Sequence, residues 1–197
     1  YPHVLKNRDF SIQCGEYNSP PFFVTYRSEG LWREGAQAMH LRFLEWAEGI
    51  GYCEDEKKGH ALSRVDFTFD YFIPSVDFDD NSVISLSSLE DKHRKDRNLT
   101  GLGFGTGDVR LRMYLKTLEI LEKSLKVWFF DLWGCKEDVW RIEWQTRKEL
   151  LRRFGIRSFT DLVNPQGDVF RYLSIEPETL RIPTQTSTRY RWPMHPL

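Results

Sequence analysis

Residues suited to phosphate chemistry alternate along three segments of the chain, 62–72, 109–116 and 139–147, with the period of a β-strand. Apolar residues occupy the other side of each segment, so three neighbouring strands would have one core face and one polar face. The polar side of the three segments together carries six cations, three carboxylates and one tyrosine: Arg64, Arg110, Arg112, Lys116, Arg141, Arg147, Asp66, Asp70, Glu143 and Tyr114.

A tyrosine among arginines and carboxylates is suited to attack on a phosphodiester. The pKa of a free phenol is about 10, so the tyrosine needs help in losing its proton. Cations or a metal must stabilise the charge that develops on the phosphate. Asp66 and Glu143 could hold Mg²⁺ or Mn²⁺, which prefer oxygen ligands, and Arg112 and Lys116 flank Tyr114 two residues away.

A simpler interpretation of the same pattern is an antiparallel sheet with one solvated face and modest cross-strand ion pairs. Arginine outnumbers lysine five to one on this face, and arginine is the residue best suited to bidentate phosphate contacts. This ratio favours phosphate binding, but the solvated face stays an alternative.

The strands and helices predicted around these residues indicate an α+β fold. It has an antiparallel central sheet, with helices packed on one face and a polar catalytic face on the other. Residues 1–175 are predicted to form a single catalytic domain, and 176–197 a proline-rich tail or linker. Segment 77–98 is predicted to be a surface loop with a short helical turn. The patterns predict strands at 22–27, 62–72, 100–104, 109–116 and 139–147, and helices at 35–49, 117–132, 148–154 and 158–173.

The overall charge is nearly balanced, with 28 Lys and Arg against 29 Asp and Glu among 197 residues, which by itself argues against a nucleic-acid partner. Acidic residues concentrate in 54–56 and 77–91, however, whereas 141–157 has six basic and two acidic residues. No apolar run is long enough to span a bilayer. Three widely spaced cysteines predict neither a disulfide framework nor a zinc site, and indicate a reducing compartment.

Four motifs and a short C-terminal segment occur in an order that is similar to that of a known family. They are SRVDFTFD at 63–70, GFGTGD at 103–108, LRMYLKTLE at 111–119, RIEWQTR at 141–147 and RWPMHP at 191–196. The first resembles the R-x-D-x-x-x-D strand of the trans-acting Rep family, the third its Y-[ND]-K-x-x-E motif and the fourth its R-x-E-x-x-x-R element. This family comprises rolling-circle replication initiators of plasmids and phages and the related relaxases of conjugative elements.

The resemblance implies site-specific nicking of single-stranded or hairpin origin DNA in the cytoplasm of a bacterial host cell, without a membrane partner. Tyr114 matches the tyrosine that attacks the scissile phosphate, which leaves a 5′-phosphotyrosyl bond and a free 3′-OH. A host helicase and polymerase are further implied partners. The implied site comprises Tyr114, Lys116 and Arg112 as catalytic residues, Mg²⁺ or Mn²⁺ on Asp66 and Glu143 first and on Asp70 and Glu119 second, and DNA contacts from Arg64, Arg110, Arg141 and Arg147.

One residue departs from the family pattern, because Leu115 stands where the family has Asn or Asp. Alternation directs Leu115 to the core face, so we expect the chemistry to be intact, although an inactive member would carry the same change. The five histidines are scattered, so a metal site must depend on carboxylates. Two alternative functions are a non-catalytic single-stranded nucleic-acid-binding module of the same fold and a protein-interaction domain.

Overall fold

The computed structural model describes residues 1–53, 60–74, 81–85, 87–175, 178–182, 184–188 and 191–194. The chain divides into two compact units, Tyr1–Lys57 and Lys58–Leu197, and all candidate site residues lie in the second. A single catalytic domain over 1–175 stays a prediction. The acidic stretch 54–56 and residues 77–80 of the acidic stretch 77–91 lie outside the described residues. No described helix combines the length and apolarity needed to cross a membrane.

The first unit is a small antiparallel sheet, in the order β1-β2-β3, followed by a helix. The helix is kinked at Gly35, whose φ of 82° interrupts the helical backbone. Its second half therefore begins where the sequence predicted a helix, at residue 35. The elements are β1 (His3–Lys6), β2 (Phe10–Cys14), β3 (Phe22–Tyr26) and α1 (Ser28–Gly49), and the core is Phe10, Ile12, Met39, Phe43 and Ala47.

The second unit contains a five-stranded antiparallel sheet in the order β4-β9-β8-β7-β6, and a two-stranded pairing of β5 with β10. The strands are β4 (Arg64–Phe72), β5 (Val83–Ser85), β6 (Glu90–Lys95), β7 (Asn98–Phe104), β8 (Val109–Leu115), β9 (Val139–Arg147) and β10 (Glu178–Leu180). The segment 176–197, predicted as a tail or linker, thus contributes a strand through β10.

Helices α4 and α5 pack on the apolar face of the five-stranded sheet. This face buries alternate residues of the central strands, as the period of two requires. Leu115 packs against the same core, on the side expected from alternation. The α+β fold with an antiparallel sheet is therefore confirmed. The helices are α2 (Lys116–Glu119), α3 (Trp128–Trp133), α4 (Lys148–Arg153) and α5 (Gln166–Ile175), and the core includes Leu102, Leu111, Met113, Ile142, Trp144, Leu150, Leu151, Val169 and Leu173.

Three predictions for local structure were wrong. Segment 77–98 contains strands β5 and β6 where a loop was expected, and all residues of β6 are exposed, so no alternation marks this strand. The helix predicted at 117–132 breaks after a π-turn, where Leu125 adopts a left-handed conformation with φ of 53°. The helix predicted at 158–173 is a 3₁₀ turn, Thr160–Leu162, followed by α5.

Candidate active site

The polar sheet face is built around β9, which pairs with β4 on one side and β8 on the other. Arg141 on β9 lies opposite Asp70 on β4 and Tyr114 on β8. Two residues further along, Glu143 lies opposite Arg112. Side chains that face each other across neighbouring strands are close enough to interact, so the register brings the predicted nucleophile, cations and carboxylates together.

The next two cross-strand positions of β9 that point to this face, Gln145 and Arg147, lie beside the remaining site residues predicted on these strands. Gln145 of β9 lies between Asp66 of β4 and Arg110 of β8. Arg147 lies opposite Arg64, so two like charges face each other at this end of the sheet. Because like charges that face each other destabilise a sheet, this end is suited to an anionic partner.

Tyr114 and Glu143 form the centre of the candidate site. The Tyr114 hydroxyl donates a hydrogen bond to Glu143 Oε2 at 3.3 Å, and Arg112 Nη2 donates to Glu143 Oε1. Burial, and then the negative charge of Glu143, raises the pKa of Tyr114 well above its ordinary value. The phenol is therefore protonated at neutral pH, and Glu143 is the carboxylate that already accepts its proton in a hydrogen bond.

Lys116 begins α2 rather than ending β8, and its side chain is buried. The ammonium group pairs with Glu119 and lies 5.7 Å from the ring centroids of both Tyr114 and Phe129. Burial lowers the pKa of Lys116, and the hydrogen bond with Glu119 opposes this effect. A cation held close to the nucleophile can neutralise charge on a bound phosphate.

Phe129 is a contact of the site that the sequence reasoning missed. Its fully buried ring lies 4.8 Å from Cζ of Arg141, in a range where cation–π attraction is expected. It stacks between Trp128 and Trp133 of α3. Phe129 belongs to an apolar run that indicates core packing, so no sequence signal connected it with the polar face.

The Asp70–Arg141 pair is buried and bidentate. Arg141 Nε donates to Asp70 Oδ1 at 2.7 Å and Nη2 donates to Oδ2 at 2.8 Å, with only 5% of each side chain exposed. Burial acts to lower the pKa of Arg141, but the hydrogen bond to Asp70 and the negative charges of Asp70 and Glu143 together raise it above its ordinary value. This pair links β4 to β9 and positions Arg141 beside Tyr114.

The other predicted DNA contacts lie nearer to solvent. Arg64 Nε donates to Asp66 Oδ1 at 2.6 Å, and this hydrogen bond raises the pKa of Arg64 despite partial burial. Arg110 Nη2 lies 3.2 Å from Asp91 Oδ2 on β6, a residue that sequence reasoning placed in a loop. Arg147 is exposed and makes no ion pair within the described residues. These arginines therefore extend the cationic surface away from Tyr114.

The four carboxylates predicted to bind a metal do not form a ready metal site. Within the described part of the chain, no group of three or more His, Cys, Asp or Glu residues could hold a metal ion. A metal would have to displace cations from its ligands, and metal binding stays a prediction. The pairs are Asp66 with Arg64, Glu143 with Arg112, Asp70 with Arg141, and Glu119 with Lys116.

No family model matches the chain, and no curated protein matches it. Among solved structures, the chain is similar to a rolling circle replication initiator protein from Geobacillus stearothermophilus, with 20% identity and a TM-score of 0.42. The match covers 68% of this chain and 52% of that protein, so the chain spans about half of its length. A likeness of this level establishes neither fold nor function.

Proposed function

We propose that this protein nicks one strand of DNA with Tyr114 as the nucleophile, which starts rolling-circle replication or strand transfer. The observation that carries the proposal is the hydrogen bond from the Tyr114 hydroxyl to Glu143, flanked by Arg112. Lys116 and Arg141 extend the cationic surroundings of the same phenol. The order of the four motifs, which resembles that of the trans-acting Rep family, supports the same function.

In the proposed step, the Tyr114 oxygen attacks the phosphorus atom of the scissile phosphodiester and its proton passes to Glu143. The bond from phosphorus to the 3′-oxygen breaks, and that oxygen takes a proton from water, while the proton that Glu143 returns to the solvent neutralises the hydroxide left behind. One strand then ends in a free 3′-OH, and the other is joined to Tyr114 through its 5′-phosphate. Arg112 and Lys116 stabilise the charge on the non-bridging oxygens.

The step exchanges one phosphoester for another, so attack by a 3′-OH on the phosphotyrosine can reverse it and rejoin the strands. The partners proposed with this chemistry are single-stranded or hairpin origin DNA and a host helicase and polymerase, in the cytoplasm of a bacterial cell. Mg²⁺ or Mn²⁺ on Asp66 and Glu143 is a further proposal. Arginines pair with both of these carboxylates, so the step described above is written without a metal.

The test uses a pool of random-sequence single-stranded oligonucleotides, labelled at either the 3′ or the 5′ end and incubated with the protein and Mn²⁺. We expect the 3′ label to become covalently attached to the protein on a denaturing gel, and the 5′ label to leave with the free 3′-OH. Tyr114→Phe should abolish the adduct. Tyr71→Phe is the matched control, because Tyr71 is a half-buried tyrosine of β4 that faces the core.

A second candidate function is a non-catalytic single-stranded nucleic-acid-binding module. The raised pKa of Tyr114 and the pairing of the carboxylates with cations favour it, since both oppose an activated nucleophile. This module would bind the oligonucleotide pool with a steep salt dependence and form no adduct. A protein that binds no single-stranded DNA at low salt would instead favour the protein-interaction domain.

A further inference from the structure

An ion pair on the polar face joins two strands that are not neighbours. Arg110 of β8 and Asp91 of β6 lie on either side of β7, and Arg110 Nη2 is 3.2 Å from Asp91 Oδ2. Asp91 lies opposite Gly103 of β7. A Cβ atom at residue 103 would be 3.6 Å from Asp91 Oδ2 and 3.8 Å from Arg110 Nη2, so the pair passes over the strand at its glycine.

This pair is the most exposed of the carboxylate–cation pairs on the described polar face. The Asp91 side chain is 62% exposed and that of Arg110 is 39% exposed, whereas Asp70 and Arg141 are nearly inaccessible. Arg110 makes a single contact to Asp91, and its buried Nε atom has no partner within the described residues. Exposed single-contact pairs contribute little to stability, so Arg110 can exchange its partner readily.

We infer that Arg110 is paired with Asp91 in the free protein, and that a phosphate of the bound DNA strand replaces Asp91 as the partner of Arg110. This inference rests on the proposed function, because it names where the substrate strand crosses the sheet. A phosphodiester can accept two hydrogen bonds from a guanidinium, and its binding releases counterions, whereas Asp91 offers one contact. The DNA strand therefore crosses β7 at Gly103.

The position of Arg110 defines which phosphate it binds. Four residues along β8 separate Arg110 from Tyr114, a distance of roughly 13 Å for an extended strand. Arg110 therefore binds a different phosphate from the one that Tyr114 attacks. Arg110 therefore positions the DNA strand and takes no part in the reaction itself, and Asp91 competes with the DNA for the Arg110 guanidinium.

The experiment measures equilibrium binding of fluorescein-labelled oligo(dT) to the full chain over a range of salt concentrations, without added metal. Asp91→Asn should bind about threefold tighter or more, because it frees Arg110 and removes a repulsive charge. Arg110→Gln should weaken binding and lower the salt slope by about 1. In the double variant, Asp91→Asn should no longer tighten binding beyond its general effect on charge.

The matched control is Glu90→Gln, which removes the same charge from the neighbouring position of β6. Glu90 lies opposite Phe104 rather than Gly103, and it pairs with Lys92. We expect it to change affinity less than Asp91→Asn does. Both residues are exposed, so both variants should keep the unfolding temperature of the wild type.

Equal effects of Asp91→Asn and Glu90→Gln would overturn the inference, as would full tightening by Asp91→Asn in the Arg110→Gln background. A wild-type protein that does not bind oligo(dT) at low salt would also overturn it. The proposed function is judged separately by the covalent adduct. An Asp91 effect without any adduct contradicts nicking alone, and an adduct without an Asp91 effect contradicts this inference alone.

Discussion

Glu143 contacts both the proposed nucleophile and a cation, which makes it the most informative single residue of the site. One of its oxygens accepts a hydrogen bond from Tyr114 and the other pairs with Arg112. A buried carboxylate held at both oxygens keeps the phenol in one orientation, and it can take the proton as the phosphorus–oxygen bond forms. The strand alternation identified Glu143 only as a metal ligand, because sequence does not reveal which polar neighbours touch.

The first prediction concerns Glu143→Gln. At neutral pH the rate of adduct formation should fall about 10²–10⁴-fold, the usual contribution of a general base. The rate should then rise with pH, up to about tenfold per pH unit, because the phenol must ionise in solution and its pKa is raised by burial. Glu143→Gln also removes the negative charge that helps to raise the pKa of Tyr114. The phenol of this variant therefore ionises more readily, which helps the rate to recover as the pH rises.

The measurement is the initial rate of adduct formation across neutral and alkaline pH. Glu90→Gln serves as control, because Glu90 is an exposed carboxylate of β6 that pairs with Lys92 and has no part in the proposed step. Its pH profile should keep the wild-type shape. If Glu143→Gln also kept the wild-type shape, Glu143 would not be the base.

At the scale of elements, β4, β8 and β9 could be predicted because each has one apolar face that packs in the core, and this determines which side chains point to the other face. Strand β6 could not, since it lies at the sheet edge with every residue exposed, and charged residues fill it without alternation. The break at Leu125 was missed because Leu118, Leu121, Leu125 and Trp128 have helical spacing, although Leu121 and Leu125 are mostly exposed.

The second prediction concerns the link between β4 and β9. Asp70→Asn should lower the free energy of unfolding by about 3–5 kcal/mol, because it leaves Arg141 buried without a charged partner. Asp66→Asn on the same strand should cost about 1 kcal/mol or less, because its pair with Arg64 is partly exposed. Urea unfolding measures both. Equal losses would mean that burial does not distinguish the two pairs.

The third prediction concerns the segment between α2 and α3. Leu125 is exposed and left-handed, so Leu125→Gly should stabilise the protein by about 1 kcal/mol, through relief of the contact between Cβ and the carbonyl. Leu121→Gly, at an exposed right-handed helical position, should destabilise it by about 1 kcal/mol. The thermal unfolding temperature should therefore rise for Leu125→Gly and fall for Leu121→Gly. A shift in the same direction for both would contradict the left-handed conformation of Leu125.

At the scale of the whole molecule, the near-zero net charge conceals an uneven distribution of charge. Six cations of the second unit were predicted on one sheet face, and all of them but Arg147 have a carboxylate partner within the described residues. The sequence showed which residues share this face, because the period of two is strict. It could not show the pairing with Asp91, since that contact crosses an intervening strand.

The fourth prediction follows from the division of the chain into two units. All residues of the proposed step lie in Lys58–Leu197, which also contains its own apolar core. A protein of these residues should unfold cooperatively and form the same adduct as the full chain. A cooperatively folded fragment that forms no adduct would show that Tyr1–Lys57 contributes to the chemistry.

The central claim is that Tyr114 becomes joined to a DNA 5′-phosphate, and peptide mass spectrometry of the adduct tests it most directly. Trypsin cleaves after Arg112 and Lys116, so Tyr114 lies in the short peptide 113–116. After nuclease and trypsin digestion, we predict that this peptide carries the mass of a nucleotide on Tyr114. A nucleotide on any other residue, or bound DNA that never becomes attached, would contradict the proposed function.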